Sequence, residues 1–120
     1  MRILGFNKKW PKLQQEEFTT FRFARKDKDW EVGEIVRIII KPRSEGGGEF
    51  LGLAEIIRKE PRNMSRVTPN QYPSVTLTEA QEDGFDNYWA MWDWLWDIYG
   101  GKRLVDEPMN KLTLSWKERR

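Results

Sequence analysis

Cysteine and histidine are both absent from the 120 residues. Without cysteine there is no disulfide, no thiol nucleophile and no thiolate metal site. Without histidine the usual general base near neutral pH is missing, as are the usual zinc ligand and every Ser-His or Cys-His machine. Any catalysis must therefore rest on Lys, Asp, Glu, Tyr, Ser or Thr, and no cofactor or metal is expected. Long apolar runs are lacking too. Charged residues make up 33% of the chain and mean hydropathy is negative, and no run approaches the ~20 residues of a membrane span. The opening stretch, MRILGFNKKW, scatters its charges through and after a short strand-like run. It therefore does not read as a secretory leader, which has a basic start and then an apolar core. The expectation is a single domain over 1–120, cytoplasmic and without membrane contact.

Net charge is only +2, too little to argue for nucleic acid by itself, but its distribution is uneven. Arg22, Arg25, Lys26 and Lys28 cluster against Asp27, and Arg58, Lys59, Arg62 and Arg66 against Glu60. Between 78 and 99 stand Glu79, Glu82, Asp83, Asp86, Asp93 and Asp97 with no basic residue. If the fold keeps these segments apart, the molecule has a basic and an acidic side.

Along the chain, Arg2 to Phe6 reads as a strand. Trp10-Pro11 sets proline at the first position of a short helix or turn over Lys12 to Glu17, and Phe18 to Phe23 returns as a strand. The β-branched run within Glu34 to Lys41 predicts a central strand, ended by Pro42. Ser44 to Gly48 is a turn into a returning strand, Phe50 to Arg58, and Gly52 marks a bulge of the kind a curling sheet needs. Pro61 to Pro73 reads as irregular, with a brief strand over Ser74 to Leu77. Thr78 and Gln81 fit a capping box for a short helix. Asp86 can cap a longer one, Asn87 to Tyr99, ended by Gly100-Gly101. A polar loop containing Pro108 leads to a last strand, Leu112 to Trp116, and a charged tail. The order predicts an α+β, mainly β fold: a small, partly open β-barrel with short helices packed against one end.

Four of the seven tryptophans lie between Trp89 and Trp96. Tyr88, Met91, Trp92, Leu95 and Tyr99 recur at helical spacing, with Trp89, Trp96 and Ile98 widening that face. The spacing favours core over a stacking platform for bases, because large aromatics on one helical face are worth most when buried. Trp94 falls off the stripe, placed to cover a loop or meet a partner.

Thr20 and Arg22 sit on alternate residues of a strand, so they share a face. A hydroxyl beside a guanidinium suits an anionic or amide-bearing ligand. Spacing alone is equally met by an edge strand with a polar outer face.

The succession of signals from Gln15 onward resembles the ASCH domain, a member of the PUA-like superfamily of small β-barrels. Its Gly-x-Lys-x-x-Thr-x-Arg motif corresponds here to Gln15-Glu-Glu17-Phe-Thr-Thr20-Phe-Arg22. Its aromatic-x-x-Gly-acid turn corresponds to Trp30-Glu-Val-Gly33-Glu34. Leu77-Thr78, Asp83-Gly84-Phe85, Ile98-Tyr99 and Leu112 to Trp116 follow in the family's order. The motif glycine is replaced by Gln15 and the motif lysine by Glu17. The resemblance implies binding of RNA or a modified nucleoside in a cleft lined by Thr20 and Arg22. Arg25, Lys26 and Lys28, together with Arg62 and Arg66, would contact phosphates.

The alternative that the resemblance implies is a hydrolase acting on a nucleoside or on RNA, like the family members that deacetylate N4-acetylcytidine. Those enzymes use the motif lysine, the threonine and a downstream acid, which aligns with Asp83. Here Glu17 would be the base, Thr20 the positioning hydroxyl, Arg22 the stabiliser of negative charge and Asp83 the second acid. A Glu17/Asp83 pair would also raise one carboxyl pKa or bind a divalent metal.

Overall fold

The computed structural model describes residues 1–66 and 71–120. Strand β1 (Ile3–Phe6) leads through a 3-10 turn at Pro11–Gln14 to β2 (Glu17–Arg22), then β3 (Ile35–Ile40). A second 3-10 turn at Glu45–Gly47 precedes β4 (Glu49–Arg62). Helices α1 (Leu77–Glu82), α2 (Tyr88–Tyr99) and α3 (Gly101–Asp106) follow, and β5 (Met109–Arg119) closes the chain. The five strands form one sheet in the order β1-β3-β4-β5-β2, curled into a half-barrel with the helices packed on it. β1 and β3 are parallel and every other neighbouring pair is antiparallel.

The β-branched run of β3 lies between β1 and β4, with Val36, Ile38, Ile39 and Ile40 buried. Gly52 does mark a bulge. Ile38 faces Gly52 and Ile39 faces Phe50, so one residue of β4 is unmatched there. Gly52 takes φ +142°, and a Cβ would stand 2.1 Å from the Glu118 carbonyl oxygen. Glycine is required twice over, by conformation and by space.

Several expectations need correction. β4 runs on through Pro61 to Arg62, with Pro61 opposite Asn110. β3 pairs β4 only as far as Glu55, so beyond it β4 has a free side and proline's missing N–H breaks no ladder there. β5 likewise absorbs most of the charged tail, pairing Glu118 with Leu53 and Arg119 with Gly52. The brief strand expected at Ser74 is a single bridge to Asn63; of the stretch read as irregular, 67–70 lies outside the described residues. The capping box sits two residues earlier than read, with Thr76 as N-cap and Glu79 as its partner. Glu79 also accepts from Lys111 and Arg62, so this register ties the helix to the sheet, which Gln81 would not.

Asn87, next to the expected Asp86, caps α2. Gly100, at φ +85°, ends α2. The chain then restarts as α3 where a polar loop was expected, stabilised by Lys102–Asp106 and Arg103–Glu107 pairs one turn apart.

Two clusters form the core. One fills the curl of the sheet, around Leu4, Ile38, Ile56, Leu112 and Leu114. The other lies beneath the helices, around Phe21, Met64, Met91, Leu95 and Leu104. Full burial of Met91 and Leu95 contributes roughly 1.5–3 kcal/mol each. Trp94 and Phe85 touch both clusters, and the Trp10 ring lies tilted against Phe85 at 5.2 Å and edge-on to Trp94 at 5.3 Å. Trp94 therefore covers the loop after β1. Trp89, Trp96 and Ile98 do not widen the buried face; they are exposed.

Candidate functional site

The sheet leaves its two outer strands, β1 and β2, unpaired with each other. Arg22 spans that seam: its Nη2 donates to the Gly5 carbonyl at 2.7 Å, its Nε to Thr20 Oγ1 at 3.1 Å. Its guanidinium carbon lies 4.8 Å from the Phe6 ring centre. At the seam, beneath α2, is a cavity of about 120 Å³ lined by Thr20, Arg22, Asp83 and Lys12, with walls from Phe6, Trp10, Phe85, Trp94 and Tyr99. One water needs only ~10–15 Å³ of such space.

Lys12 is the residue that sequence reasoning missed. Pro11 starts the 3-10 turn and Leu13 anchors it in the core, which turns the intervening lysine inward. Its Nζ donates to Asp83 Oδ1 at 2.7 Å, and both side chains are buried. Burial pulls the Lys12 pKa down against the attraction of Asp83, and pushes the Asp83 carboxyl up against the attraction of Lys12 and Arg22. The two values move toward each other, as expected for a charge pair with little solvent. Burial also lowers the pKa of Arg22, which remains a cation because a guanidinium holds its proton. No carboxylate among the described residues lies within ion-pair distance of Arg22, so one positive charge in the cavity is unmatched.

Glu17 is placed elsewhere. It is exposed and outside the cavity, while Thr20 is buried and lines it. The spacing of three explains this, since residues an odd number apart on a strand face opposite sides. The proposed Glu17/Asp83 pairing does not form; Asp83 has Lys12 instead. Among the described residues no group of three or more carboxylates is gathered to hold a metal ion.

Next to the cavity runs a groove of about 1170 Å³, sharing Gly5, Asn7, Arg22 and Tyr99 with it. Arg25 and Lys26 line the groove, as do Lys41, Arg43 and Arg103, which the sequence did not single out; among the described residues Asp27 is its one carboxylate. The loop carrying Arg25 and Lys26 is fixed from below by Arg2, which donates to Lys28 O at 2.5 Å, to Asp29 O at 2.9 Å and to Glu34. Lys28 lies outside the groove and pairs with Glu31 at 3.5 Å. Arg62 is engaged with Glu79 and Glu60, and Arg66 sits over the Tyr88 ring. Neither lines the groove.

No protein-family model matches the chain, and comparison with curated proteins and with solved structures finds no match either. Among the described residues no helix is long and apolar enough to cross a membrane.

Proposed function

We propose that this chain is an ASCH-like, PUA-like module that binds single-stranded RNA and takes one nucleoside, modified or not, into the cavity at the seam. The observation that carries this reading is the continuity of the two hollows. A small pocket with aromatic walls, a hydroxyl and an unmatched cation opens beside a wide groove lined by cations. A base fits the first by stacking and hydrogen bonding, and the phosphates that follow it fit the second. The cytoplasm is the compartment this ligand implies.

Fluorescence anisotropy with a labelled oligouridylate at several salt concentrations tests it. Log affinity is expected to fall by about 0.7 per phosphate contact. Arg25→Glu with Lys26→Glu, and separately Arg43→Glu, should weaken binding and flatten the slope, while Lys28→Glu should do neither. Binding that ignores salt, or that survives the Arg25/Lys26 reversal, overturns the reading.

A second reading is favoured by the Lys12–Asp83 pair. A dry lysine with a lowered pKa beside a carboxyl and a hydroxyl is suited to attack or deprotonation at an amide. In this reading Lys12 and Asp83, with Thr20 positioning and Arg22 stabilising negative charge, hydrolyse an acylated nucleoside, and Glu17 takes no part. Incubation with N4-acetylcytidine should yield cytidine and acetate, and Lys12→Met/Asp83→Leu, which removes both charges and leaves neither buried unpaired, should abolish the product. Absence of product with the wild-type chain rejects the hydrolase and leaves the binding module.

A further inference from the structure

We propose that the outer face of α2 is a docking surface for a cationic segment, rich in arginine or lysine, of a partner protein. Trp89, Trp92 and Trp96 run along one side of this helix. Trp89 is 65% and Trp96 49% exposed, and the rings of Trp92 and Trp96 lie 5.7 Å apart. Trp96 is firmly seated, since its ring rests on Gly101, where a Cβ would stand 2.1 Å away. Fixed, exposed tryptophans forming one strip are the usual mark of a contact surface.

The charge beside the strip selects the partner. Asp93 and Asp97 follow it at the next positions around the helix, both exposed, and neither has an ion-pair partner among the described residues. The neighbouring cations of α3, Lys102 and Arg103, are already matched by Asp106 and Glu107. An aromatic strip rimmed by free carboxylates attracts guanidinium and ammonium groups through both ring faces and charge, and repels a phosphate backbone. This face is turned away from the nucleoside cavity, which α2 lines with Trp94, Leu95 and Tyr99. The two sites can be filled together, and the inference does not depend on the RNA reading.

A synthetic peptide of alternating arginine and leucine, titrated into the full chain, tests the proposal by anisotropy and by the indole N–H signals in NMR. Binding is expected in the range of about 10–100 μM at low salt, with the Trp89 and Trp96 indole signals shifting. Asp93→Asn/Asp97→Asn, which removes only exposed charge, should weaken binding roughly fivefold or more, and Trp89→Ala should weaken it further. No binding at about 1 mM, equal binding by the Asp93/Asp97 variant, or shifts confined to the Arg25–Arg43 groove would each overturn it. So would sedimentation showing a dimer that Trp89→Ala dissolves, which would assign the face to a second copy.

Discussion

Lys12 Nζ lies 2.7 Å from Asp83 Oδ1 although 71 positions separate the two residues. The pair joins the turn after β1 to the end of α1, and it floors the cavity at the seam. Removing one partner should therefore be far worse than removing both. Lys12→Met is expected to destabilise by about 3–5 kcal/mol, while Lys12→Met/Asp83→Leu should fall near the wild type. Urea denaturation of the four proteins of this cycle measures the coupling. Asp83's folded pKa is already raised, so its contribution is fullest in acid and is lost as pH rises through that pKa. In Lys12→Met the pKa rises further, so the deficit at neutral pH should shrink as the pH falls.

Glu79 works in the opposite sense. Burial opposes its ionisation, but hydrogen bonds from Lys111 and the Thr76 backbone, with the charges of Lys111 and Arg62, hold its pKa below 4.5. Its stabilisation is complete above pH 4.5 and is lost as pH falls through the lowered folded value. Glu79→Gln should cost about 3 kcal/mol at neutral pH and flatten the acid limb of a stability–pH curve. An unchanged acid limb would show that Glu79 carries no linkage.

Gly52 and Gly46 both hold positive φ, but only Gly52 is crowded, by the backbone of β5; nothing lies within 4 Å of a Cβ at Gly46. Gly46→Ala should lose only the conformational part, about 1 kcal/mol, whereas Gly52→Ala adds overpacking of about 1–3 kcal/mol. Thermal melts of the two variants give the ordering directly.

Tryptophans of α2 should separate by role. Trp94→Ala opens a void between two clusters and is expected to cost about 3 kcal/mol. Trp89→Ala should stay within about 0.5 kcal/mol of wild type. Equal losses would mean that the exposed ring packs in solution.

Periodicity made the strands and α2 legible, because apolar residues at intervals of two, or of three and four, report which side is covered. Thr20 and Arg22 could be put on one face for the same reason. What was hidden is what depends on distant partners. Lys12 gives no local sign of burial, since its counter-charge comes from the far end of α1. Nothing local favours Thr76 over Thr78 as the cap, because the deciding cations, Lys111 and Arg62, lie in strands far along the chain. Pro61 stays in a strand only because β3 has already ended beside it. Glu17 was grouped with Thr20 from motif alignment, against the strand's own alternation.

The bridge from Arg22 to Gly5 gives this half-barrel a latch where a closed barrel would have a seam of many backbone bonds. Parting β1 from β2 at that point breaks that charge-assisted hydrogen bond, on the order of 1.5–3 kcal/mol, together with the contacts of Phe6 with the Arg22 guanidinium and the Phe18 ring. Amide protons bordering the gap should accordingly trade with solvent sooner than those of β3 and β4. The same guanidinium both holds the wall shut, through Gly5, and lines the hollow behind it, so a change at Arg22 alters closure and interior together.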